Sequence, residues 1–412
     1  MVAACLACGS ADLRPVLDLG EQPLANNLVQ SGDGPPSEPA FPLGIQVCRG
    51  CHLVQLTHIV DPGEMFSSYL YVPSTSTTWL AHCEEIADDV CRRARLQPGE
   101  LVVEIGSNDG SLLKAFQRRG LRVLGVDPAA NIAARANAEG VPTLNRFFGE
   151  DVAAEIVAEH GSPRAVVSTN VLAHVPDPVG VLRGVRALLG PESIYVNESP
   201  SLREMVLHNE FDTIYHEHVS YYSLHALENM AAQARLRIVD AVPQAIHGGS
   251  LRIVATSDDY AKEVGPGLVA VRAAERRAGV LHPSGMDAFA RRTAALRDHL
   301  RQLVAQLARD GSRVAAYGAT AKGNVLLTYC GLTNQDVEYI VDRNPLKQGH
   351  VTPGSRIPVV SPEQLEADPP DVLMLLAWNL ADEIRHQLSW FGARGGRFLV
   401  PVPEPRLVSG EA

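Results

Sequence analysis

Four cysteines near the start of the chain have the types and spacing to hold one metal ion. Cys5 and Cys8 form one Cys-x-x-Cys pair, and Cys48 and Cys51 form another. Zinc takes four ligands at tetrahedral corners, and thiolates suit it. Each pair puts two sulfurs on one tight turn, so two turns close the site. Four sulfurs leave no open coordination position, and the Zn2+ is therefore read as structural. A module this small has little core of its own, which makes metal binding part of its folding. Unmetallated turns or a redox pair are the weaker alternatives. Cys83, Cys91 and Cys330 stand alone and read as small buried hydrophobes.

A second constellation is Glu104-Ile105-Gly106-Ser107-Asn108-Asp109-Gly110. Dinucleotide turns use G-x-G-x-x-G and set a pyrophosphate over a helix N-terminus. Here the spacing is Gly106-x-x-x-Gly110, and the third glycine is missing. Carboxylates at Glu104 and Asp109 would repel a pyrophosphate and attract a cation. S-adenosylmethionine (SAM) carries a sulfonium and an ammonium group, so it is favoured over NAD. Asp127 ends the next strand, where a carboxylate can accept both ribose hydroxyls of either cofactor. Asn108 stands where many SAM enzymes have glycine, and asparagine also visits left-handed backbone conformations. The expected cofactor residues are Glu104, Gly106, Asn108, Gly110, Asp127 and, after the third strand, Asn170.

The third constellation is Tyr215-His216-Glu217-His218-Val219-Ser220-Tyr221-Tyr222, with His174 in Asn170-Val171-Leu172-Ala173-His174. Histidine titrates near neutral pH and can take or give a proton. Glu217 can raise the basicity of its neighbour or orient a substrate. A structural role for these histidines, or a zinc site at His216 and His218, is the blander reading.

Alternating elements must position these residues. Trp79 to Leu96 has helical periodicity and stops before Pro98-Gly99. Strands are expected at Leu101–Ile105, Leu121–Val126, Ala165–Ser168 and Ser193–Val196, with helices between them. That rhythm implies a parallel sheet covered on both faces. Both histidine segments then leave carboxyl ends of strands, where open α/β sheets bind ligands. Near residue 255 the pattern changes, and Met286 to Leu307 reads as one long helix with a leucine stripe. A second βαβ rhythm follows at Val314–Gly318, Val337–Val341 and Val372–Leu376. The fold class is α/β: a small zinc-binding module, then two Rossmann-like parallel-sheet domains in tandem. The boundaries are 1–75, 76–255 and 256–412.

With 412 residues, 46% hydrophobic and 20% charged, the chain suits a soluble protein of two or three domains. A net charge of -11 argues against a nucleic-acid partner. No apolar run reaches the ~18 residues of a membrane span, so no membrane partner is expected. The first residues lack signal-peptide character, so a cytoplasmic location is expected. Oligomeric state stays open, with a monomer as the simplest case.

The order of these motifs resembles the sugar C-methyltransferases of antibiotic and deoxysugar biosynthesis. The likeness also takes in His247-Gly248-Gly249-Ser250-Leu251-Arg252 and Gly318-Ala319-Thr320-Ala321-Lys322-Gly323-Asn324. It covers nearly the whole chain. It implies SAM-dependent methylation at C-3 of a thymidine-diphosphate (dTDP)-linked 4-keto-deoxysugar. It also implies an N-terminal zinc domain, a central SAM domain, and a C-terminal Rossmann-like domain that helps hold the sugar nucleotide. The family's base falls on His218, with Glu217 and Tyr215 close by and His174 as second histidine. Tyr69 or Tyr71 resembles the tyrosine that the N-terminal segment sends to the active site. His247 is grouped with the substrate.

The chemistry agrees independently. Methylating carbon needs a nucleophilic carbon, and removing a proton beside a ketone gives an enolate. That step needs a general base and donors for the growing oxyanion. The Gly318–Asn324 turn carries Lys322 and no carboxylate, so its N–H groups and Lys322 suit a phosphate. Asn324 joins Lys322 as an expected substrate contact. Asp342, Arg343 and Lys347 are read as solvated rim residues. A zinc-containing RNA methyltransferase and an NAD-dependent oxidoreductase using the C-terminal domain are the rival functions.

Overall fold

The computed structural model describes residues 1–30, 38–61, 77–246 and 248–409. Tyr69, Tyr71 and His247 lie outside them. Strands are numbered along the chain. The N-terminal module holds β1 (Leu13–Pro23), β2 (Val29–Gln30), β3 (Ala40–Cys48) and β4 (Val54–Leu56). The middle of the chain holds β5 (Leu101–Ile105), β6 (Arg122–Val126), β7 (Thr143–Leu144), β8 (Ala165–Thr169), β9 (Ile194–Pro200), β10 (Ser220–Tyr221), β11 (Leu236–Gln244) and β12 (Ser250–Ser257). The last part holds β13 (Val314–Tyr317), β14 (Ile340–Val341), β15 (His350–Val351), β16 (Val359–Val360), β17 (Val372–Leu375), β18 (Arg397–Val400) and β19 (Arg406–Ser409).

The central sheet has the order β11-β12-β9-β8-β5-β6-β7. Its five strands β5 to β9 are parallel to one another, and every residue of β5 is buried. Burial on both faces is why β5 reads as a near-continuous apolar run, broken only by Glu104, rather than an alternating one. β12 runs antiparallel between β9 and β11. This closing pair was not foreseen from the sequence. Strand order reverses between β5 and β8, so the turns after those strands open onto one crevice.

The C-terminal sheet repeats the logic in the order β16-β14-β13-β17-β18-β19, with only β19 antiparallel. The expected strands at 314, 337 and 372 are all present, each shorter than anticipated, the middle one reduced to Ile340–Val341. The long helix runs Pro283–Arg309 and buries Met286, Phe289, Thr293, Leu296, Leu300, Val304 and Leu307. Leu303 of the expected stripe is only partly buried.

Two strand pairings reach out of their own sheets. The cysteine module's sheet has the order β1-β3-β4-β10, so Ser220 and Tyr221 pair with Gln55 and Val54. The histidine segment thus runs directly into the metal module. β2 pairs with β15, joining the module to the C-terminal sheet region. The helix Thr77–Ala94 is fixed to the central sheet by Arg252, whose guanidinium lies 2.9 Å from Glu198 and 3.4 Å from Asp89. Among the described residues, no helix is long and apolar enough to cross a membrane.

Candidate active site

The four cysteine sulfurs lie within 4.8 Å of one another, with Cys5 and Cys51 3.4 Å apart and Cys8 and Cys48 3.6 Å apart. Thiolates at ~2.3 Å from a tetrahedral zinc sit roughly 3.8 Å apart. The cluster's sulfur spacing brackets that value, so the four cysteines suit a tetrahedral zinc. Three of the four cysteines are buried and Cys8 is exposed.

The turn after β5 is shaped by glycine. Gly106 has φ +66°, and a Cβ there would lie 2.4 Å from Cγ2 of Val171. Gly110 has φ +73° and would meet Val141 at 2.8 Å. Asn108 takes the left-handed conformation at φ 47°, as its residue type allows. Asp127 accepts from the N–H of Asn108 and from that of Ala129, both at 2.9 Å. Each carboxylate oxygen keeps a second lone pair for another donor.

The carboxylates of this turn differ from the simple expectation. Asp109 accepts from the N–H and the hydroxyl of Ser111 at 3.2 and 2.6 Å, so it closes its own loop. Glu104 is buried, and its Oε2 has no hydrogen-bond partner. Burial, then Asp127 and Asp109, push its carboxyl well above the usual range. Oδ1 of Asn170 is also buried without a partner, on a residue at φ 57°. A buried carboxylate among like charges is costly unless a proton or a cation meets it. These residues therefore fit a cationic ligand such as SAM and would hold it.

The histidine cluster forms where two turns meet. The rings of His174 and His218 are edge to face with centroids 4.8 Å apart. The Tyr215 hydroxyl is 2.8 Å from Nε2 of His218, and Nδ1 of His218 donates to the Thr213 carbonyl at 3.0 Å. The N–H of Val219 donates to the Ala173 carbonyl at 2.7 Å, and the Tyr222 hydroxyl to that of Leu172 at 2.7 Å. These bonds lock the two turns together. Burial lowers His174 to about 4, so its ring is neutral near pH 7. Glu217 is raised by burial, and the amide of Asn26 donates to it at 2.6 Å. His216 points elsewhere: it is buried against the ring of Phe41, 5.9 Å between centroids. Among the described residues, the four cysteines are the one cluster suited to a metal, so a zinc at His216 and His218 has no support.

The C-terminal turn has the geometry of the first. The N–H of Gly318 donates to the Val341 carbonyl at 2.7 Å, as that of Gly106 does to Val126 at 2.8 Å. Asp342 accepts from the N–H of Ala319 at 2.9 Å, as Asp127 does from Asn108. Asp342 and Lys347 are thus held in the turn rather than simply solvated, since Lys347 also donates to the Ala319 carbonyl at 2.6 Å. Lys322 lies 3.8 Å from Glu210 and over the ring of Trp378 at 5.0 Å. Burial raises Glu210 to about 8, against the pull of Lys322. Trp378 donates to Asp212 at 2.6 Å. Asn324 is buried, and its amide donates to the Ala25 carbonyl at 2.5 Å. Asn26, Thr213, Glu210, Asp212 and Trp378 surround the expected residues, yet no local motif marks them in the sequence.

Three family models match the chain in order: "Putative zinc binding domain" over residues 5–66, "Methyltransferase domain" over 79–241 and "C-methyltransferase C-terminal domain" over 245–403. The C-methyltransferase NovU of Streptomyces niveus is 42% identical over 408 residues, 99% of this chain and 97% of that protein. A ubiquinone biosynthesis O-methyltransferase of Ralstonia nicotianae is 29% identical over 138 residues, 32% of this chain and 58% of that protein. The magnesium protoporphyrin IX methyltransferase of Synechocystis, solved with bound SAH, shares 13% identity over 48% of this chain and 93% of its own. Its TM-score of 0.35 is too low to bear weight.

Proposed function

The chain belongs to the C-methyltransferase family it matches from end to end, and from that premise we propose that it methylates C-3 of a dTDP-linked 4-keto-deoxysugar. It is a SAM-dependent C-methyltransferase with a four-cysteine zinc site. We assign residues 1–75 to zinc binding, 76–255 to SAM, and 256–412 to a domain that contacts the sugar nucleotide.

The observation that carries the reading is the hydrogen bonding of His218. A carbonyl can only accept, so Nδ1 holds the proton of the neutral ring and Nε2 presents a lone pair. His218 removes the C-3 proton, which the neighbouring ketone acidifies. Tyr215 or neutral His174 donates to the oxygen of the resulting enolate. When bound, SAM supplies an electrophilic methyl group to the enolate carbon. Glu217 orients the histidine pair. Lys322 and Asn324 meet the sugar nucleotide from the C-terminal turn, and either Tyr69 or Tyr71 completes the site. His247 is assigned to the substrate on the family likeness alone.

Incubation with SAM and a dTDP-4-keto-deoxysugar should add one methyl group, read by mass spectrometry. Deuterium from solvent should wash into C-3 without SAM. If neither product forms with any 4-keto sugar nucleotide, the substrate assignment falls.

A further inference from the structure

Glu217 carries a carboxylate that is largely covered by protein, and burial alone raises it. The donor that meets it comes from far away in sequence. Asn26 lies in the turn after β1, in the cysteine module, and reaches Oε1 of Glu217 at 2.6 Å. That turn is short and self-bonded: the N–H of Asn27 donates to the Leu24 carbonyl, and that of Leu28 to the Asn26 carbonyl, both at 3.0 Å. Its other side is fixed by the C-terminal turn. Asn324 donates to the Ala25 carbonyl at 2.5 Å, and Ala25 and Asn324 are both buried. Beyond the turn, Val29 pairs with Val351, and Glu38 takes Arg356 at 2.6 Å. The backbone is thus held against the C-terminal sheet region, while the exposed Asn26 side chain reaches across to Glu217.

We propose that Asn26 is a positioning residue for proton transfer: its amide aims the Glu217 carboxylate, and Asn324 holds Asn26 in place through the Ala25 carbonyl. The inference rests on the reading of Glu217 as part of the catalytic cluster. An amide donor favours the ionised carboxylate and fixes one of its oxygens. Without it, Glu217 turns toward its protonated form and loses its fixed direction beside His218. The C-terminal domain then acts on the chemistry through three linked groups, Asn324, Ala25 and Asn26.

Full-length, zinc-loaded variants test this. Because Asn26 is exposed, Asn26→Ala and Asn26→Asp should fold, with metal content and SAM affinity as checks. Asn26→Ala should lower kcat by about tenfold, leave KM for SAM unchanged, and move the acid limb of the pH profile upward. Asn26→Asp should lose more at high pH and recover as pH falls, because two facing carboxylates must share a proton. At saturating sugar nucleotide, where any loss of substrate binding by Asn324 is masked, Asn324→Ala should lower kcat in the same direction, and the double variant should have a kcat no lower than that of Asn26→Ala. Additive losses would overturn the link through Asn324. A readout without substrate separates this from the assigned function: carboxyl carbon resonance of Glu217, assigned with Glu217→Gln, titrated in wild type and Asn26→Ala. An unmoved titration overturns the positioning role whatever the substrate is. A moved titration with no methyl transfer by wild type supports the link and sinks the substrate reading alone.

Discussion

The Tyr215 hydroxyl lies 2.8 Å from Nε2 of His218, so the ring nitrogen assigned to take the proton already has a donor beside it. Loss of the base should reduce turnover by ~10²–10⁴. His218→Gln should therefore abolish both methyl transfer and deuterium wash-in at C-3. Tyr215→Phe should lower kcat less, by about tenfold, because His174 remains as a second donor. If His218→Gln turns over like wild type, His174 is the base, despite a pKa held near 4 by burial.

Glu104 should make SAM binding depend on pH. The folded protein holds a proton on this buried carboxyl above the pH at which the unfolded chain loses it. Its contribution to stability is complete below the ordinary glutamate range and falls as pH rises toward the folded value. A cationic ligand favours the ionised form, so binding releases a proton and tightens as pH rises through that window. Calorimetry in phosphate and in Tris should give different apparent heats. Glu104→Gln should remove the difference along with most of the affinity. Equal heats for the wild type would mean that Glu104 stays protonated or is already ionised.

Metal removal should reach the chemistry through strand pairing. β4 of the cysteine module pairs with Ser220 and Tyr221, two residues past His218. Cys48→Ser, or treatment with a strong chelator, should lower kcat in step with zinc content. SAM affinity should persist, because its turn belongs to the central sheet. A zinc-free protein with full kcat would show that the module does not hold the histidine turn.

Gly106→Ala should weaken SAM binding for two separable reasons. The new methyl would lie 2.4 Å from Val171 Cγ2, and the φ of +66° costs a non-glycine residue about 1–2 kcal/mol. Where the free turn relaxes out of the left-handed conformation and must return to it on binding, that cost alone raises the dissociation constant by roughly five- to thirtyfold. Val171→Ala added to Gly106→Ala should recover only the steric part. Unchanged affinity for Gly106→Ala would place the ligand away from this turn.

Much of the architecture was legible because it depends on local signals. Cys5/Cys8 and Cys48/Cys51 announce a metal by spacing, and the apolar run Leu101–Ile105 announces a strand buried on both faces. Glycines at 106 and 110 mark positions that a Cβ cannot enter. The residues that were not legible act across long sequence gaps. Asn26 meets Glu217 191 positions away, and Asn324 meets Ala25 299 positions away. Asp109 carries the charge expected of a ligand-facing carboxylate, yet Ser111 two residues on takes it. The N-terminal sheet was hidden because its fourth strand, Ser220–Tyr221, comes from the middle of the chain. Residue type shows what a side chain can do, but only the pairing partner decides whether it does so.

Lys322 gives a case where two roles can be measured apart. It is assigned to the sugar nucleotide, and it also lies 3.8 Å from Glu210, with Asp212 adding a second buried carboxylate nearby. Lys322→Ala should raise KM for the sugar nucleotide by about tenfold, with little change in kcat, if it binds substrate uniformly. The same change removes the cation that opposes the upward shift of Glu210. In wild type Glu210 is raised to about 8, so its folded form keeps a proton that the unfolded chain has lost. Stability contributed there is full below the ordinary glutamate range and declines until about pH 8. Without Lys322 the folded value rises further, and the decline should continue past that point. Thermal melts across the alkaline range would show it. Glu210→Gln added to Lys322→Ala should restore the alkaline stability, because no carboxylate remains to ionise there, but it should leave KM high. An unchanged KM in Lys322→Ala would confine this lysine to holding Glu210 and leave substrate binding to other groups of the turn.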